Sequence, residues 1–291
     1  MKYSLKRFIK NLIFLTKYSF ENDIKFQLLA EAEDIYLYRR LNNKNSVLKV
    51  LNVEETVDLL IRHPKSFCRY GDGEIELCIG NGIPFQQYDS KLQNMLIKIL
   101  QNNNNNMYVG IDYNYFTSTK GLTETVKRFQ VLNSKKYRDF LMKVCNKERE
   151  YIATGFTQSY LTYDSYDYDN YFKKIKQLFY KRELVIIAGE GILDKLEFDI
   201  FELAKNKEYI MAPRYNAFSK IDELLEIAYK YSAYQKTFIC ILGPTSNILV
   251  YNLTKKGYMA WDIGHLAKDY NAYMKKIEKN EKNTLKFFKP D

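Results

Sequence analysis

Cysteine and histidine are scarce in this chain, and their absence already excludes much. Its 291 residues hold four cysteines, Cys68, Cys78, Cys145 and Cys240, none in a CxxC pair or near a histidine at zinc-site spacing. That argues against a structural zinc site and against a disulfide framework. The thiols read instead as reduced, placing the protein in the cytosol. No stretch approaches the roughly 18 uninterrupted apolar residues that a membrane-spanning helix requires. Collagen-like and disordered compositions are also absent, because 46% of the residues are hydrophobic and 27% charged, as in a folded soluble protein.

Acid is what the two ends lack. Residues 1–20 carry Lys2, Lys6, Arg7, Lys10 and Lys17 and no Asp or Glu, and residues 266–291 carry seven lysines against four acids. These ends supply most of the net charge of +10, and the body between them is nearly balanced. A nucleic-acid enzyme would spread basic residues along its working groove, so no nucleic-acid partner is expected. In the first segment Leu5, Phe8, Ile9, Leu12, Ile13 and Leu15 recur at helical spacing between lysines. Two readings stand, a helix packed on the body or peripheral contact with an anionic membrane at the inner face of the cell. A secretory leader is not read here, since Lys10 and Lys17 interrupt the apolar run.

The rest of the chain alternates helical stretches with short apolar runs. Helices are expected around Glu21–Leu41, Val53–Arg62, Lys91–Leu100 and Asn247–Lys255. Strands are expected at Met107–Asp112, Tyr151–Thr154, Leu184–Ala188, Thr237–Leu242 and Tyr258–Ile263, with Asn102–Asn106 as a loop. This order predicts an α/β fold, a Rossmann-like and mainly parallel sheet flanked by helices, with a helical N-terminal extension. Residues 1–50 form that basic extension, 51–270 the main domain and 271–291 a basic tail. Ligands of such folds bind beyond the carboxyl ends of the strands, so the loops there are the candidates for chemistry.

Four loops qualify. In Arg69-Tyr70-Gly71-Asp72-Gly73-Glu74 the two carboxylates lie two residues apart. On an extended or turned segment both can reach one hard cation, magnesium or manganese, while Arg69 suits the phosphates that such an ion bridges. The plainer reading is a tight turn in which Arg69 pairs with the acids. Glu190, between Gly189 and Gly191, is placed for a general base or a sugar-hydroxyl contact, or equally for a helix-start acid. Gly243-Pro244-Thr245-Ser246 opens a helix after a strand, so its hydroxyls read as caps and its amides as a phosphate cradle. His265 follows Asp262 and Gly264 at a strand end, where an imidazole serves as ligand or acid, although a lone histidine is more often structural. Tyr163, Tyr166, Tyr168 and Tyr171, interleaved with aspartates, are either a sugar-stacking platform or a polar aromatic loop.

These loops, taken in order, resemble the GT-D-type glycosyltransferases, first catalogued as a domain of unknown function in streptococcal glycan gene clusters. The resemblance rests on Ser66–Glu74, Ile83-Pro84-Phe85-Gln86, Gly189-Glu190, Phe198-Asp199, Ala212-Pro213, Asn216-Ala217-Phe218, Leu242–Tyr258 and Asp262–His265. It covers roughly residues 50–270. It implies metal-dependent transfer of a sugar from a nucleotide-sugar, commonly a UDP-sugar, to a growing glycan, glycolipid or glycoprotein. Asp72 and Glu74 would serve the metal, Mn2+ or Mg2+, with His265 as a further metal or diphosphate ligand. Arg69, Gly71, Asp72, Gly243 and Thr245 would hold the donor. The base would be Glu190, with Asp262 as second choice. The chain departs from the family pattern at Gln158 and near Leu193, where arginines are expected, and at Leu266-Ala267-Lys268. A metal-dependent phosphohydrolase and a non-catalytic binding module are the rival readings.

Overall fold

The computed structural model describes residues 48–102 and 106–288, together with the helical positions Leu28, Leu29, Ala32 and Ile35. The expected membrane-facing segment, most of Glu21–Leu41 and the centre of the asparagine run lie outside the described residues. Eight strands form one sheet: β1 (Lys49–Val50), β2 (Ser66–Tyr70), β3 (Met107–Ile111), β4 (Glu150–Ala153), β5 (Glu183–Gly189), β6 (Asn206–Ala212), β7 (Lys236–Ile241) and β8 (Met259–Asp262). Their spatial order is β1-β4-β3-β2-β8-β7-β5-β6, and every pair is parallel. The fold class expected from the sequence is the one found.

Burial on both faces explains why β5 and β7 read as unbroken apolar runs. Along β5, Leu184 and Ile186 enter the core on one face while Val185 and Ile187 enter the other. Each such side chain, fully removed from water, contributes about 1.5–3 kcal/mol by area. The first core is closed by helices Ser90–Gln101, Glu124–Val144, Ile221–Ala228 and Pro244–Lys255, the second by Val53–Arg62, Tyr168–Phe179 and Leu266–Met274. Helix Val53–Arg62 starts at a capping box in which Asn52 and Glu55 each accept the other's backbone N–H at 2.9 Å, and it stops before Pro64. The stretch 271–291, read from its charge as a tail, contains helix Glu281–Phe288, whose Phe287 packs with Leu161 and Ala272.

The sheet has one weak seam. β2 and β8 share a single register pair, Phe67 with Trp261, whose rings stack at 5.7 Å. Beyond that pair no further register pair joins the two strands. Strand order reverses at this seam, since the chain runs outward from β2 through β3 to β4 and returns on the other side. A crevice at such a switch point is where open α/β sheets bind ligands.

Candidate active site at the carboxyl end of the sheet

Arg69, the penultimate residue of β2, fills the seam. Its backbone N–H donates to Asp262 Oδ2 at 3.2 Å and to Asn247 Oδ1 at 3.3 Å, in place of a strand partner. Its Nε donates to the Asp262 carbonyl at 3.0 Å, Nη1 to Thr157 Oγ1 at 2.7 Å and Nη2 to Asp262 Oδ1 at 3.3 Å. Asn247 returns a bond from Nδ2 to the Arg69 carbonyl at 2.9 Å. One guanidinium therefore ties the ends of β2 and β8 to the turn after β4. Gly264 makes this possible: its φ is +45°, its N–H donates to Asp262 Oδ1, and a Cβ built there would overlap the guanidinium.

Asp262 is buried and its oxygens are engaged by Arg69 and Gly264. Burial raises its carboxyl, with Arg69 pulling against that rise. The residue expected as second-choice base is thus a holder of Arg69, with no oxygen left open for an acceptor hydroxyl.

The DxE pair is also arranged differently from expectation. The chain does not turn after Gly71 but enters helix Asp72–Cys78 at once. Residues i and i+2 of a helix point to different sides, so Asp72 and Glu74 do not form one clamp. Glu74 Oε2 reaches back to accept the Gly71 N–H at 2.9 Å. Burial pushes its carboxyl up to about 7, aided by Asp262 and opposed by Arg69 and the Gly71 amide. Asp72 is exposed at the helix start, yet crowding by surrounding protein raises its carboxyl, a combination that describes a group on the wall of a cleft. Among the described residues no group of three or more His, Cys, Asp or Glu is arranged to hold a metal. The remaining ligand expected from the sequence is His265. It lies at the start of helix Leu266–Met274 with its ring against Phe287 at 5.3 Å and Phe288 at 5.8 Å.

On the other flank, Glu190 is exposed at the end of β5 and its N–H donates to the Ala212 carbonyl. Two strand intervals, roughly 10 Å, separate β5 from β8. Gly243 is overlain by Phe85, whose Cε2 would lie 2.7 Å from a Cβ at that position. Thr245 is fully buried, so its side chain is closed to a ligand in this conformation. Neither hydroxyl caps the helix as expected: Ser246 Oγ instead accepts the Leu242 N–H at 2.9 Å. The Ile83–Gln86 and Asn216–Phe218 motifs interlock above Gly243, with Asn216 donating to the Phe85 carbonyl and accepting from Gln87 N. Leu193 packs into the second core, and Gln158 accepts the Thr162 hydroxyl at its carbonyl. The tyrosine cluster is packing rather than platform, Tyr171 being buried and Tyr166 set edge-on to it at 5.7 Å.

Sequence reasoning missed Asn247, Thr157 and Asp112. Asn247 carried a weak signal, as an amide directly ahead of the apolar run Ile248–Val250. Asp112 ends β3 beside β2, accepts from Asn114 N and Gln130 Nε2 at 2.8 Å, and is raised by burial and by Asp72. A cavity of about 890 Å3 opens at the opposite, amino end of the sheet, lined by Arg182, Glu183, Lys205 and Lys236 and by neither Asp72 nor Arg69.

A switch-point crevice edged by carboxylates and one committed arginine is where an open, mainly parallel α/β sheet binds its ligand. The chain belongs to the glycosyltransferase GT-D fold family, whose model matches residues 67–289. It is similar to a solved domain of unknown function 1792 with a distinct glycosyltransferase fold, at 30% identity and a TM-score of 0.74, covering 80% of this chain and 84% of that one. A new glycosyltransferase of that domain type from Streptococcus sanguinis matches at 26% identity and a TM-score of 0.74, covering 80% and 87%. Glycosyltransferase GlyD of Streptococcus pneumoniae is 29% identical over 245 residues, which cover 84% of this chain and 30% of that protein. The probable glycosyl transferase Gly of Streptococcus gordonii is 29% identical over 242 residues, covering 81% and 35%. The chain thus spans about a third of the length of these curated relatives. Among the described residues no helix is long and apolar enough to cross a membrane.

Proposed function

We propose that this protein transfers a sugar from a nucleoside-diphosphate sugar, a UDP-sugar first among them, to a glycan, glycolipid or glycoprotein acceptor in bacterial surface-glycan assembly. The observation that carries the reading is Asp72 standing open at the β2–β8 switch point beside the Arg69–Asp262 lock. Asp72 fits a divalent ion, Mn2+ or Mg2+, that keeps waters and takes its remaining ligands from the donor, as magnesium does when one carboxylate and substrate phosphates share it. Such an ion supplies positive charge to the departing diphosphate. Arg69 keeps the crevice open in one geometry by fixing the ends of β2 and β8. Glu190, exposed at the end of β5, receives the acceptor hydroxyl's proton. Residues 1–20 would attach the protein to an anionic membrane from the cytoplasmic side.

Calorimetric titration with UDP, in manganese and then in EDTA, tests this. Wild type is expected to bind only with metal, and a folded Asp72→Asn protein to lose that binding and at least about a hundredfold in transfer. Silence of wild type toward UDP, GDP and CMP would overturn the reading.

A further inference from the structure

The carboxyl end of the sheet is short of free positive charge. Asp72, Glu74, Asp112 and Asp262 gather around β2, β3 and β8, and Arg69 commits Nε, Nη1 and Nη2 to Asp262 and Thr157. A diphosphate brings further negative charge and needs donors not already committed. The other half of the sheet offers one, Arg214, two residues beyond the end of β6. Its Nη2 is buried without a hydrogen-bond partner, among the described residues it forms no ion pair, and its guanidinium lies 5.8 Å from the centre of the Tyr215 ring. A guanidinium never sheds its charge, so an unmet N–H of this kind is costly and calls for an acceptor.

The backbone around it is firmly held. Its Cα lies 3.2 Å from where a Cβ on Gly189 would stand, which presses it against the turn that carries Glu190. The Glu190 N–H is bound to the carbonyl of Ala212, and Asn216, at φ +51°, is locked to Phe85 and Gln87. Arg214 is therefore set in the wall between the Glu190 turn and the loop over Gly243. We infer that Arg214 is the donor-binding cation of this chain and hydrogen-bonds the diphosphate oxygens of the nucleoside-diphosphate sugar. The inference rests on the donor class proposed above.

The test titrates wild type, Arg214→Gln and Arg214→Lys with UDP and with UMP in manganese. If folded wild type binds neither UDP nor GDP, the donor class itself fails. Given wild-type binding, Arg214→Gln should lose about 10- to 100-fold in UDP affinity and most of the preference for UDP over UMP, with Lys restoring part of it. UDP affinity within twofold of wild type, or an equal loss for both nucleotides, would overturn the assignment. Should Arg214→Gln fail to fold, phenylglyoxal labelling of wild type decides. UDP should slow modification of Arg214, and an unchanged rate would sink the proposal.

Discussion

The two ends of the same eight strands manage charge in opposite ways. At the amino end, Glu183 is shared by Lys205 at 2.7 Å and Lys236 at 3.1 Å, and Lys236 also meets Glu208 at 2.6 Å. Glu183 and Glu208 thus each have a lysine, and the pairs are partly exposed. At the carboxyl end Asp72, Glu74 and Asp262 are buried or crowded and burial raises them, and the nearby cation, Arg69, is already shared. The amino end has balanced its charges within the protein. The carboxyl end has not, and an unbalanced end is one built to receive something.

That contrast fails first, if it fails, at Arg69. Removing one partner of a buried, hydrogen-bonded pair leaves an uncompensated charge, so Arg69→Met should cost about 3–5 kcal/mol in urea unfolding. The double variant Arg69→Met/Asp262→Leu should recover a large part of that loss. Equal instability of single and double variants would mean the pair contributes packing alone.

A pH dependence comes next. Asp269, just beyond β8, is fully buried and accepts the Tyr160 N–H at 2.9 Å and, more weakly, that of Leu161. Burial raises its carboxyl from 3.8 to about 7, against the pull of those amides and Lys279. The folded state then holds the proton more tightly than the unfolded chain, so stability is full below about pH 4 and falls as pH rises toward 7. Asp269→Asn cannot titrate. Its stability relative to wild type should therefore climb between pH 4.5 and 7.5, and a constant gap across that range would refute the account.

Gly264 sharpens the comparison locally. Gly264→Ala puts a methyl into the Arg69 guanidinium and should cost about 2 kcal/mol or more. Gly257, at the turn before β8 on the amino end, has φ +85° with open space around it, so Gly257→Ala should pay only the left-handed backbone cost of about 1 kcal/mol. Equal melting shifts for the two would remove the close approach at Gly264 from the argument.

Much of this architecture was legible in the sequence, and the failures have physical causes. β5 and β7 were readable because burial on both faces makes an apolar run that no surface segment can imitate. β6 went unread because its burial is confined to Ile210 and Ala212, with Tyr209 and Met211 exposed, so no run forms. Asp72 and Glu74 were found by type, but their geometry was not, because Asp-Gly-Glu suits a turn and only tertiary context extends it into a helix. The Arg69–Asp262 pair spans 193 residues, and no spacing rule reaches that far. Asn247 and Thr157 share this difficulty, since each acts through a residue on a distant strand.

The smallest expected effect is at the amino end, and it is the one that separates the two halves of the comparison. Lys236 has two acidic partners, yet Glu183 and Glu208 are 27% and 38% exposed at their side chains, so water already screens much of the attraction. Exposed pairs of this kind contribute little to stability. Lys236→Met keeps the aliphatic stem while deleting the charge. Melting should shift by no more than a few degrees, salt should erase most of the difference, and UDP binding should be unchanged. A loss of UDP affinity in this variant would show the two ends to be coupled, and the carboxyl end's charge imbalance would then have to be counted over the whole sheet.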